Sequence, residues 1–355
     1  MKILITGVCG FVGSSLAGSL CEAGSGIEIH GIDNLCRAGS EINRRALGKY
    51  GVKLRHGDVR NVSDLDDFPP MDWIIDAAAN PSVLGGISGP MNSRQVVEHN
   101  LIGTVNLLEL CKRWACGLVM ISTSRIYSMA ELSSISLEVR DDAYVPVLAG
   151  TTPSGLTADG VTEEFSTSPP LSLYGATKLA SEVLAMEYAC AFDFPVHIDR
   201  CGVLAGAGQF GKPDQGILSF WIHSYCRQRP LRYIGFDGTG FQVRDCMHPR
   251  DLAKLVMKQI LAPLKQTTAI NVAGGIRNSF SLAQLSAWCA ERFGPHTIGA
   301  EPCNRKFDVP WLVLNSATAK RLWEWEPEVD LKTICEEIAV HAEQNPKWLE
   351  LSSET

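Results

Sequence analysis

The amino-terminal stretch constrains the fold of this chain more than any other part of the sequence. A short apolar run, Lys2–Thr6, predicts a buried strand. It leads into a turn whose glycines recur at every third position, Gly7, Gly10 and Gly13, and a helix-like stretch follows them. Strand, glycine-rich turn and helix in this order are typical of the unit that begins a doubly wound parallel sheet and binds a dinucleotide.

The same turn predicts where a pyrophosphate would bind. Glycine allows the backbone of Phe11 and Val12 to approach the phosphates, which then lie at the N-terminus of the helix. The next apolar run ends in Asp33, which Asn34 follows, 20 residues beyond the last glycine of the turn. A carboxylate at this place accepts hydrogen bonds from the adenosine ribose and repels a 2′-phosphate. NAD is therefore the predicted cofactor, while the nearby Arg37 keeps NADP open as an alternative.

Strand-like and helix-like patterns continue to alternate through more than half of the chain. Apolar runs that predict strands cover 52–56, 73–77, 118–122 and 196–200, and helical patterns cover 99–114 and 173–192. Such alternation is typical of a parallel sheet with helices on both faces. The predicted fold class is therefore α/β, with a Rossmann-type doubly wound parallel sheet.

The remainder of the chain loses this alternation. It contains a helical pattern at 217–228 and a hairpin-like stretch at 234–240. The sequence therefore predicts an NAD-binding domain in residues 1–205 and a smaller α/β substrate lobe in residues 206–355, with segments that interleave. Residues 139–170 are polar and too long for an ordinary connection, so we expect a lid or an insertion near the site.

Two further strand ends supply candidates for the cofactor site. Asp58 and Val59 follow the third predicted strand, where a carboxylate and a backbone amide would meet the adenine. The fourth strand ends in Ala77, Ala78 and Ala79. Ligands of open parallel sheets bind beyond the carboxyl ends of the strands, and small side chains there leave room for a cofactor.

Tyr174 and Lys178 stand four residues apart within a predicted helix, so the phenol and the ammonium share one face. A tyrosine hydroxyl with a pKa of about 10 is a poor base at neutral pH. A neighbouring cation favours the phenolate and lowers that pKa toward the working range. The spacing alone is common, and it gains weight here because a dinucleotide-binding segment precedes it.

Composition restricts the partners and the compartment. The formal net charge of −7 and the pI of about 5.7 give no sign of binding to nucleic acid or to an anionic membrane. The chain has no run long and apolar enough to span a membrane and no cleavable signal, so a cytoplasmic location is expected. The 12 cysteines are scattered without paired spacing, which predicts core residues and no metal site.

Together these segments resemble the extended short-chain dehydrogenase/reductase family, and within it the nucleotide-sugar epimerases and dehydratases. The matching marks are Gly7-x-x-Gly10-x-x-Gly13, Asp33-Asn34-Leu35, Gly57-Asp58-Val59, Ala78-Ala79, Asn100-x-x-Gly103-Thr104, Ser122-Thr123, Tyr174-x-x-x-Lys178 and Gln242-x-Arg244-Asp245. They span most of the chain. The resemblance implies an NAD-dependent enzyme that acts on a nucleotide-diphosphate sugar, and a homodimer formed through a helix bundle that includes the tyrosine helix.

The resemblance also assigns roles to individual residues. It implies that Tyr174 is the base that takes a sugar hydroxyl proton, and that Lys178 holds the nicotinamide ribose and lowers the tyrosine pKa. Thr123, four residues before Tyr127, is implied to hydrogen-bond the reacting oxygen. The full set of cofactor candidates is Gly7, Gly10, Phe11, Val12, Gly13, Asp33, Asn34, Asp58, Val59, Ala77, Ala78, Ala79, Asn100, Tyr174, Lys178 and Arg200.

The residues after Thr123 help to choose the reaction. Dehydratases of the family carry an acidic pair there to eliminate water beside a transient ketone, and the related decarboxylases use a glutamate. This chain has Ser124 and Arg125 instead, so neither dehydration nor decarboxylation is expected. The reactions that remain are epimerisation and simple oxidation or reduction.

The second half of the chain is similar to the branch of these epimerases that acts at carbon 2 of CDP-linked sugars. The similar segments are Gly208-Gln209-Phe210, Asp214-Gln215-Gly216, 238–245 and 278–282. The predicted substrate-binding residues are Ser82, Ser124, Arg125, Gln209, Gln215, Gln242 and Arg244. Arg244 is predicted to bind the diphosphate because its planar fork suits phosphate oxygens. A UDP-hexose 4-epimerase, a net dehydrogenase or reductase and a non-catalytic NAD-binding scaffold remain as alternatives.

Overall fold

The computed structural model of the protein describes residues 1–24, 26–87, 92–264 and 267–352. Its strands are β1 (Lys2–Thr6), β2 (Glu28–Asp33), β3 (Lys53–His56), β4 (Trp73–Asp76), β5 (Gly117–Thr123), β6 (Leu137–Arg140), β7 (Ala143–Pro146), β8 (Leu156–Thr157), β9 (Gly160–Val161), β10 (Val196–Cys201), β11 (Val203–Leu204), β12 (Leu231–Ile234), β13 (Val243–Met247), β14 (Thr268–Val272), β15 (Ser279–Ser281), β16 (Ile298–Glu301) and β17 (Trp311–Leu312). Its helices are α1 (Phe11–Ala23), α2 (Asn43–Lys49), α3 (Val62–Asp66), α4 (Ser93–Val97), α5 (Gly103–Trp114), α6 (Met129–Ser134), α7 (Leu173–Phe192), α8 (Ile217–Cys226), α9 (Pro249–Leu261), α10 (Leu282–Phe293), α11 (Ala317–Trp323), α12 (Leu331–Gln344) and α13 (Trp348–Leu351).

A seven-stranded sheet forms the centre of the described structure, in the order β14-β10-β5-β4-β1-β2-β3. All of its neighbouring strands are parallel. The chain moves outward from β1 to β3 on one side and from β4 to β14 on the other. This order leaves a crevice at the carboxyl ends of β1 and β4, where doubly wound sheets bind their ligands. The predicted fold class is confirmed.

Helices cover both faces of this sheet because side chains along a strand alternate between the two faces. Ile3 and Ile5 of β1 join a buried core with side chains of α1, α9 and α11. Leu4 lies on the opposite face and joins side chains of α5 and α7. A strand that is buried on both faces must be apolar throughout, which explains the uninterrupted run at the start of the sequence.

The carboxyl-terminal part of the chain adds a smaller lobe of short strands and helices. One group of strands has the order β11-β13-β15, with β17 beside β13, and a second pair joins β12 to β16. Their apolar side chains share a core with α8, α10 and α12. β14 lies beyond residue 205 but pairs with β10 of the central sheet. The chain therefore crosses back from the lobe into the sheet after residue 205.

Two predicted elements differ from the structure. The helix predicted at 99–114 begins earlier, as α4, because Asn92 and Gln95 form a capping box ahead of it. It reaches α5 through a π-helical turn, Glu98–Ile102. The stretch at 234–240 is not a hairpin, since β12, which leads into it, pairs in parallel with the distant β16. A turn-rich pattern indicates a change of direction, but tertiary contacts decide which strand becomes the partner.

Residues 139–170 fold into small hairpins and not into a lid. β6 pairs with β7, and β8 pairs with β9. Val161 and Phe165 are buried with Trp311 in one core cluster, and the N–H of Val161 donates to the carbonyl of Val313 (2.8 Å). No residue of this segment lines the two clefts of the candidate site. The buried side chains of the segment and its backbone hydrogen bond thus pack it against the lobe.

Candidate active site

The turn between β1 and α1 forms the floor of a cleft at the carboxyl edge of the sheet. Gly7 has a φ of +60°, and a Cβ on it would lie 2.9 Å from the carbonyl oxygen of Ala77. A Cβ on Gly13 would collide with the carbonyl oxygen of Gly7. Glycine is therefore required at both positions, and the backbone of the turn stays open to a ligand.

Helix α1 begins at this turn with donors that can bind an anion. Gly10 is its N-cap residue, and no side chain of the described chain caps the helix. The N–H groups of a first helical turn carry a partial positive charge and bind phosphate groups. Phe11, Val12 and Gly13 therefore present backbone donors where the sequence predicts a pyrophosphate.

Asp33 lies at the end of β2, where the backbone holds its carboxylate in place. The carboxylate accepts from the N–H of Cys9 and from that of Leu35, both at 2.8 Å. An ionised carboxylate can accept further bonds, and this one lines the cleft. The side chain of Asn34 donates to Asp58 (2.9 Å), which ties the ends of β2 and β3 together.

The first cleft has a volume of about 420 Å³ and follows the carboxyl ends of the central strands. The predicted cofactor residues that line it are Gly7, Gly10, Phe11, Val12, Gly13, Asp33, Asn34, Asp58, Val59, Ala77, Ala78, Ala79, Tyr174 and Lys178. Residues from separate strand ends and from α7 are thus brought to one surface. An elongated cleft of this kind fits a dinucleotide laid across the sheet edge.

Thr123, Tyr174 and Lys178 meet in this cleft. Thr123 ends β5, while Tyr174 and Lys178 lie on α7, where Ser172 caps the helix by accepting from the N–H of Gly175 (3.0 Å). The hydroxyl of Thr123 lies close enough to that of Tyr174 to act to lower the pKa of the phenol. The three side chains are only 8%, 7% and 2% exposed, so bulk water is largely excluded from them.

Burial sets the proton affinities of the two ionisable groups. It raises the pKa of the Tyr174 hydroxyl to about 12, and the positive charge of Arg125 acts in the opposite direction. It lowers the pKa of the Lys178 ammonium, which the carboxylates of Asp76 and Glu182 oppose. A phenol with so high a pKa is protonated at neutral pH. Action as a base therefore needs more positive charge near Tyr174.

A second cleft, of about 390 Å³, continues from the first into the carboxyl-terminal lobe. The residues that line both clefts are Val83, Arg125, Val203, Asp214, Gln215 and Gly216. Of the predicted substrate residues, Ser124 and Gln209 line the first cleft, Gln242 and Arg244 the second, and Arg125 and Gln215 both. A ligand in the second cleft would therefore approach Tyr174 through the shared region.

Arg244 and Gln242 are held in place at the wall of the second cleft. The Arg244 guanidinium donates to Asp308 (2.6 Å) and to the carbonyls of Val243 and Val309 (both 2.7 Å). The side-chain oxygen of Gln242 is buried and has no hydrogen-bond partner within the described residues. A fixed cation and a free acceptor suit a ligand that carries both a phosphate and a polar group.

Comparison with known proteins identifies the family that uses such a site. Residues 3–273 match the NAD dependent epimerase/dehydratase family. The chain belongs to this family. The match confirms NAD as the cofactor, and the turn at Gly7 and Gly13 fits it because side chains there would fill the space that a pyrophosphate needs.

Individual members of the family are similar over most of this chain. CDP-paratose 2-epimerase of Salmonella typhi is 30% identical over 299 residues, which cover 80% of this chain and 82% of that protein. UDP-glucuronate 4-epimerase of Thermodesulfobacterium geofontis is 27% identical over 348 residues, with coverage of 93% and 92%. The solved structure of UDP-glucose 4-epimerase from Bifidobacterium longum has a TM-score of 0.79 at 20% identity and covers 98% of this chain and 100% of that one. The predicted resemblance is confirmed.

In this member of the family, Asn100 lies behind the wall of the NAD cleft and does not line it. Its side chain accepts from the N–H of Asn80 (2.8 Å) and donates to the carbonyl of Asn80 (3.1 Å) and the hydroxyl of Thr177 (3.2 Å). These bonds give Asn100 a supporting role at the cleft wall, and its direct contact with the cofactor stays a prediction. The side chain of Asn100 is only 1% exposed. Its hydrogen bonds hold the backbone just beyond Ala79 in place.

Arg200 does not line the NAD cleft either, and its contact with the cofactor stays a prediction. It forms an ion pair with Glu182 at 2.8 Å, and its guanidinium lies 5.5 Å from the ring centre of Tyr127. Ser122 donates to the same Glu182 carboxylate. Side chains alternate along β10, so Arg200 faces α7 whereas its neighbour Cys201 lines the cleft. This buried network fixes α7 against β5 and β10.

Ser82, a predicted substrate residue, lines neither cleft. Its hydroxyl donates to Asp214 at 3.1 Å, and Asp214 lines both clefts. Ser82 is therefore linked to the cleft lining through Asp214, and its direct contact with the substrate stays a prediction.

The segment 209–216 crosses between the two clefts. Arg37, from the cofactor side, donates to the side chain of Gln215 and to the carbonyl of Phe210, both at 2.6 Å. These bonds use two of the five N–H donors of the guanidinium and hold it toward the segment 209–216. The family match favours NAD over NADP, the alternative that Arg37 left open.

Sequence reasoning missed most cations of the second cleft. Arg232, Arg305 and Lys306 line it together with Arg244. The only sequence signal was the adjacency of two cations at 305 and 306, which is also typical of a solvated surface. His99 also lines the first cleft. These residues come from elements whose pairing only the fold reveals.

Within the described ranges, no group of three or more His, Cys, Asp or Glu side chains is arranged to hold a metal ion. No helix there has the length and apolar character needed to cross a membrane. The 12 cysteines are free thiols, and most are buried in the core as predicted, whereas Cys36, Cys190 and Cys303 are exposed.

Proposed function

We propose that this protein epimerises a nucleotide-diphosphate sugar through transient oxidation to a keto-sugar, most like a CDP-paratose 2-epimerase. The observation that carries the proposal is the position of Thr123, Tyr174 and Lys178 in an NAD cleft that continues into a second, cationic cleft. A sugar whose diphosphate lies in the second cleft would have its reacting carbon next to Tyr174. The 30% identity to a CDP-paratose 2-epimerase supports carbon 2 as the centre that is inverted.

Tyr174 would act as a reversible base in this reaction. Its phenolate takes the proton of the sugar hydroxyl and returns it after the carbon has changed configuration, as reversible acid–base catalysis demands. Thr123, whose hydroxyl lies close to that of Tyr174, would hold the reacting oxygen. Lys178 would hold the nicotinamide ribose. NAD, when bound, would supply the hydride acceptor and donor, so that no net oxidation results.

The residues beside Tyr174 support epimerisation over elimination. The turn after β5 presents Ser124 and Arg125 to the cleft, and neither side chain is an acid that could protonate a leaving hydroxyl. Elimination of water beside a ketone needs such an acid. The same substitution disfavours decarboxylation, for which the family uses a glutamate at this place.

The main alternative is inversion at carbon 4 of a UDP-hexose. It is supported by the 27% identity to a UDP-glucuronate 4-epimerase, which extends over 93% of this chain. A net dehydrogenase or reductase is a further alternative. It would convert NAD stoichiometrically and change the absorbance of NADH, whereas an epimerase regenerates its cofactor.

The proposal is tested by incubating the NAD-loaded protein with CDP-, UDP-, GDP- and dTDP-hexoses and following the products by NMR. We expect one sugar nucleotide to form its epimer without any added redox partner, and the position of the inverted carbon separates the 2-epimerase from the 4-epimerase. Tyr174→Phe serves as the control for protein-catalysed turnover. If no sugar nucleotide is interconverted, the epimerase proposal fails.

The division of labour along the chain belongs to the same proposal. Residues 1–205, together with β14, would bind NAD, and the lobe of residues 206–355 would bind the sugar nucleotide. A cytoplasmic location fits a protein whose 12 cysteines are all unpaired, since a reducing compartment keeps thiols free. Cell fractionation with a tagged protein tests the location.

A homodimer is proposed through the helices next to the site. Val97 of α4, Ile102 of the π-helical turn and Val183 of α7 are exposed apolar side chains on neighbouring elements. Their burial against a second copy would remove apolar surface from water. Light scattering should give the mass of two chains for the wild type and of one chain for Val183→Asp.

A further inference from the structure

Arg125 is fixed by its backbone to both residues that would hold the reacting sugar oxygen. It lies in a 3-10 turn, Ser124–Ile126, directly after β5. Its N–H donates to the hydroxyl oxygen of Thr123 at 3.1 Å. Its carbonyl packs against Gly175, where any Cβ would collide with it, and Gly175 follows Tyr174 on α7. The position of Arg125 relative to Tyr174 is therefore set by the fold.

The positive charge of the Arg125 guanidinium is not neutralised by an ion pair within the described residues. It is partly buried at the junction of the two clefts, and no hydrogen bond or ion pair engages it in the part of the chain that the structure describes. Other arginines of the clefts are committed, since Arg244 pairs with Asp308 and Arg37 donates to Gln215.

Lys178, the other cation beside the tyrosine, is surrounded by negative charge. Burial lowers the pKa of its ammonium, while the carboxylates of Asp76 and Glu182 act to raise it. Both carboxyl groups are nearly or fully buried, with 2% and 0% exposure. Glu182 already pairs with Arg200 at 2.8 Å, so Asp76 is the carboxylate that offsets the charge of Lys178.

The charged and titratable groups that face Tyr174 come from each element packed around it. Lys178 lies on the same helix, Arg125 on the turn after β5, and Cys201 on β10. Burial is the main cause that raises the pKa of Tyr174 to about 12. Cys201 adds to this rise, while the hydroxyl of Thr123 and the charge of Arg125 lower the pKa.

The geometry points to Arg125 as a positioning residue that acts through Tyr174, stabilising its phenolate so that it can accept the sugar proton. The inference rests on the proposed role of Tyr174 as base. The proton passes from the sugar hydroxyl to the phenolate oxygen and later returns, and Arg125 keeps its own protons throughout. The residue that stands where dehydratases carry an acid would thus supply charge of the opposite sign.

Direct titration of Tyr174 in the NAD-loaded protein tests this inference without any substrate. The phenolate absorbance is followed against pH for the wild type, Arg125→Lys and Arg125→Gln, and the matching Tyr174→Phe double variants are subtracted. We expect the pKa of Tyr174 to rise by about one unit in Arg125→Gln and by much less in Arg125→Lys, which keeps the charge. Arg94→Gln, on a surface helix outside both clefts, controls for loss of one positive charge.

Kinetics separate this role from simple phosphate binding. Activity requires the phenolate, so the acidic limb of the kcat profile should move to higher pH in Arg125→Gln, with a roughly tenfold lower kcat below the limb. A raised KM and weaker binding of a nucleoside diphosphate with an unchanged Tyr174 titration would overturn the inference. If the titration shifts but no sugar nucleotide is turned over by the wild type, the proposed function fails while the effect of Arg125 on the pKa of Tyr174 stands.

Discussion

The two clefts of this protein bind charge in different ways. In the NAD cleft, the residues placed for a pyrophosphate are backbone N–H groups at the start of α1, and the nearby side chains Asp33 and Asp58 are acidic. In the second cleft, side-chain cations dominate, with Arg232, Arg244, Arg305 and Lys306 along its lining. The pyrophosphate of NAD would bind to helix and backbone dipoles. The diphosphate of the sugar nucleotide would bind to guanidinium and ammonium groups.

This difference has a structural cause. A glycine turn and a helix start are continuous in sequence, so one short segment builds the whole phosphate site. The cations of the second cleft lie on segments separated by up to dozens of residues, and β13, β12 and the chain after β16 must pack together before these cations converge. The phosphate site of the first cleft is therefore set by local geometry, while the cations of the second cleft depend on assembly of the lobe.

The largest expected effect concerns Tyr174, where the two clefts meet. Tyr174→Phe removes the hydroxyl that exchanges the proton but keeps the ring, so we expect kcat to fall by about 1,000-fold or more. NAD should remain bound, because the ring still fills its place in the cleft. Single-turnover kinetics and the absorbance of bound cofactor check the two statements, and turnover near the wild-type rate would remove Tyr174 as the base.

A change in the glycine turn should affect the NAD cleft alone. In Gly13→Ala the new methyl group collides with the carbonyl oxygen of Gly7, which must move and distort the phosphate site. We expect NAD affinity to fall by about 100-fold and stability by about 2 kcal/mol. Gly24→Ala is the matched control, since a Cβ there meets nothing within 4 Å. Calorimetric NAD titration that shows equal affinities for the two variants would contradict this account.

A change in the second cleft should weaken binding of the nucleoside diphosphate and leave NAD binding unchanged. Arg244→Ala removes a cation and leaves the carboxylate of Asp308 unpaired beside the diphosphate. We expect the Kd for the nucleoside diphosphate to rise about 30-fold, with NAD affinity unchanged. Arg244→Lys keeps the charge but loses the fork, so its effect should be intermediate. Loss of NAD in Arg244→Ala would mean that the two clefts are not energetically separate.

The smallest effect is expected at Asp33. Asp33→Ala removes the acceptor for the ribose and for the N–H groups of Cys9 and Leu35. We expect NAD to bind about tenfold more weakly, and the preference over NADP to shrink because the repulsion of a 2′-phosphate is lost. Competition binding of NAD and NADP measures both. An unchanged preference would show that another group, such as Arg37, sets cofactor choice.

Sequence reasoning was most successful where the geometry is local. Gly7, Gly13 and Asp33 fall within one strand, one turn and the next strand, and the structure places all three in the first cleft. The surroundings of Arg200 were harder to predict, since the alternation along β10 turns this side chain toward α7 and Glu182. Neighbouring residues of a strand point to opposite faces of the sheet, so a shift of one residue exchanges a cleft position for one that faces α7. No pattern in the sequence shows which of the two positions Arg200 takes.

Asn100 shows a related limit. The family resemblance implied a cofactor contact for it, and the π-helical turn presents its amide to Asn80 and Thr177. The same applies to residues 139–170, whose polar composition suggested a lid although Val161 and Phe165 anchor them in a core. The composition of a segment indicates how polar it is on average. It does not show which of its side chains are buried in a core.

The sequence by itself determined the doubly wound sheet, the NAD turn and the pairing of Tyr174 with Lys178, because strand, turn and helix geometry follow from neighbouring residues. Only the tertiary structure decided that Arg200 is a buried ion-pair partner, that segment 209–216 joins the clefts, and that cations from distant segments line the second one. It also decided that Arg125 lines both clefts with no ion pair among the described residues. Contacts of this kind depend on packing between elements far apart in the chain, which no local pattern contains.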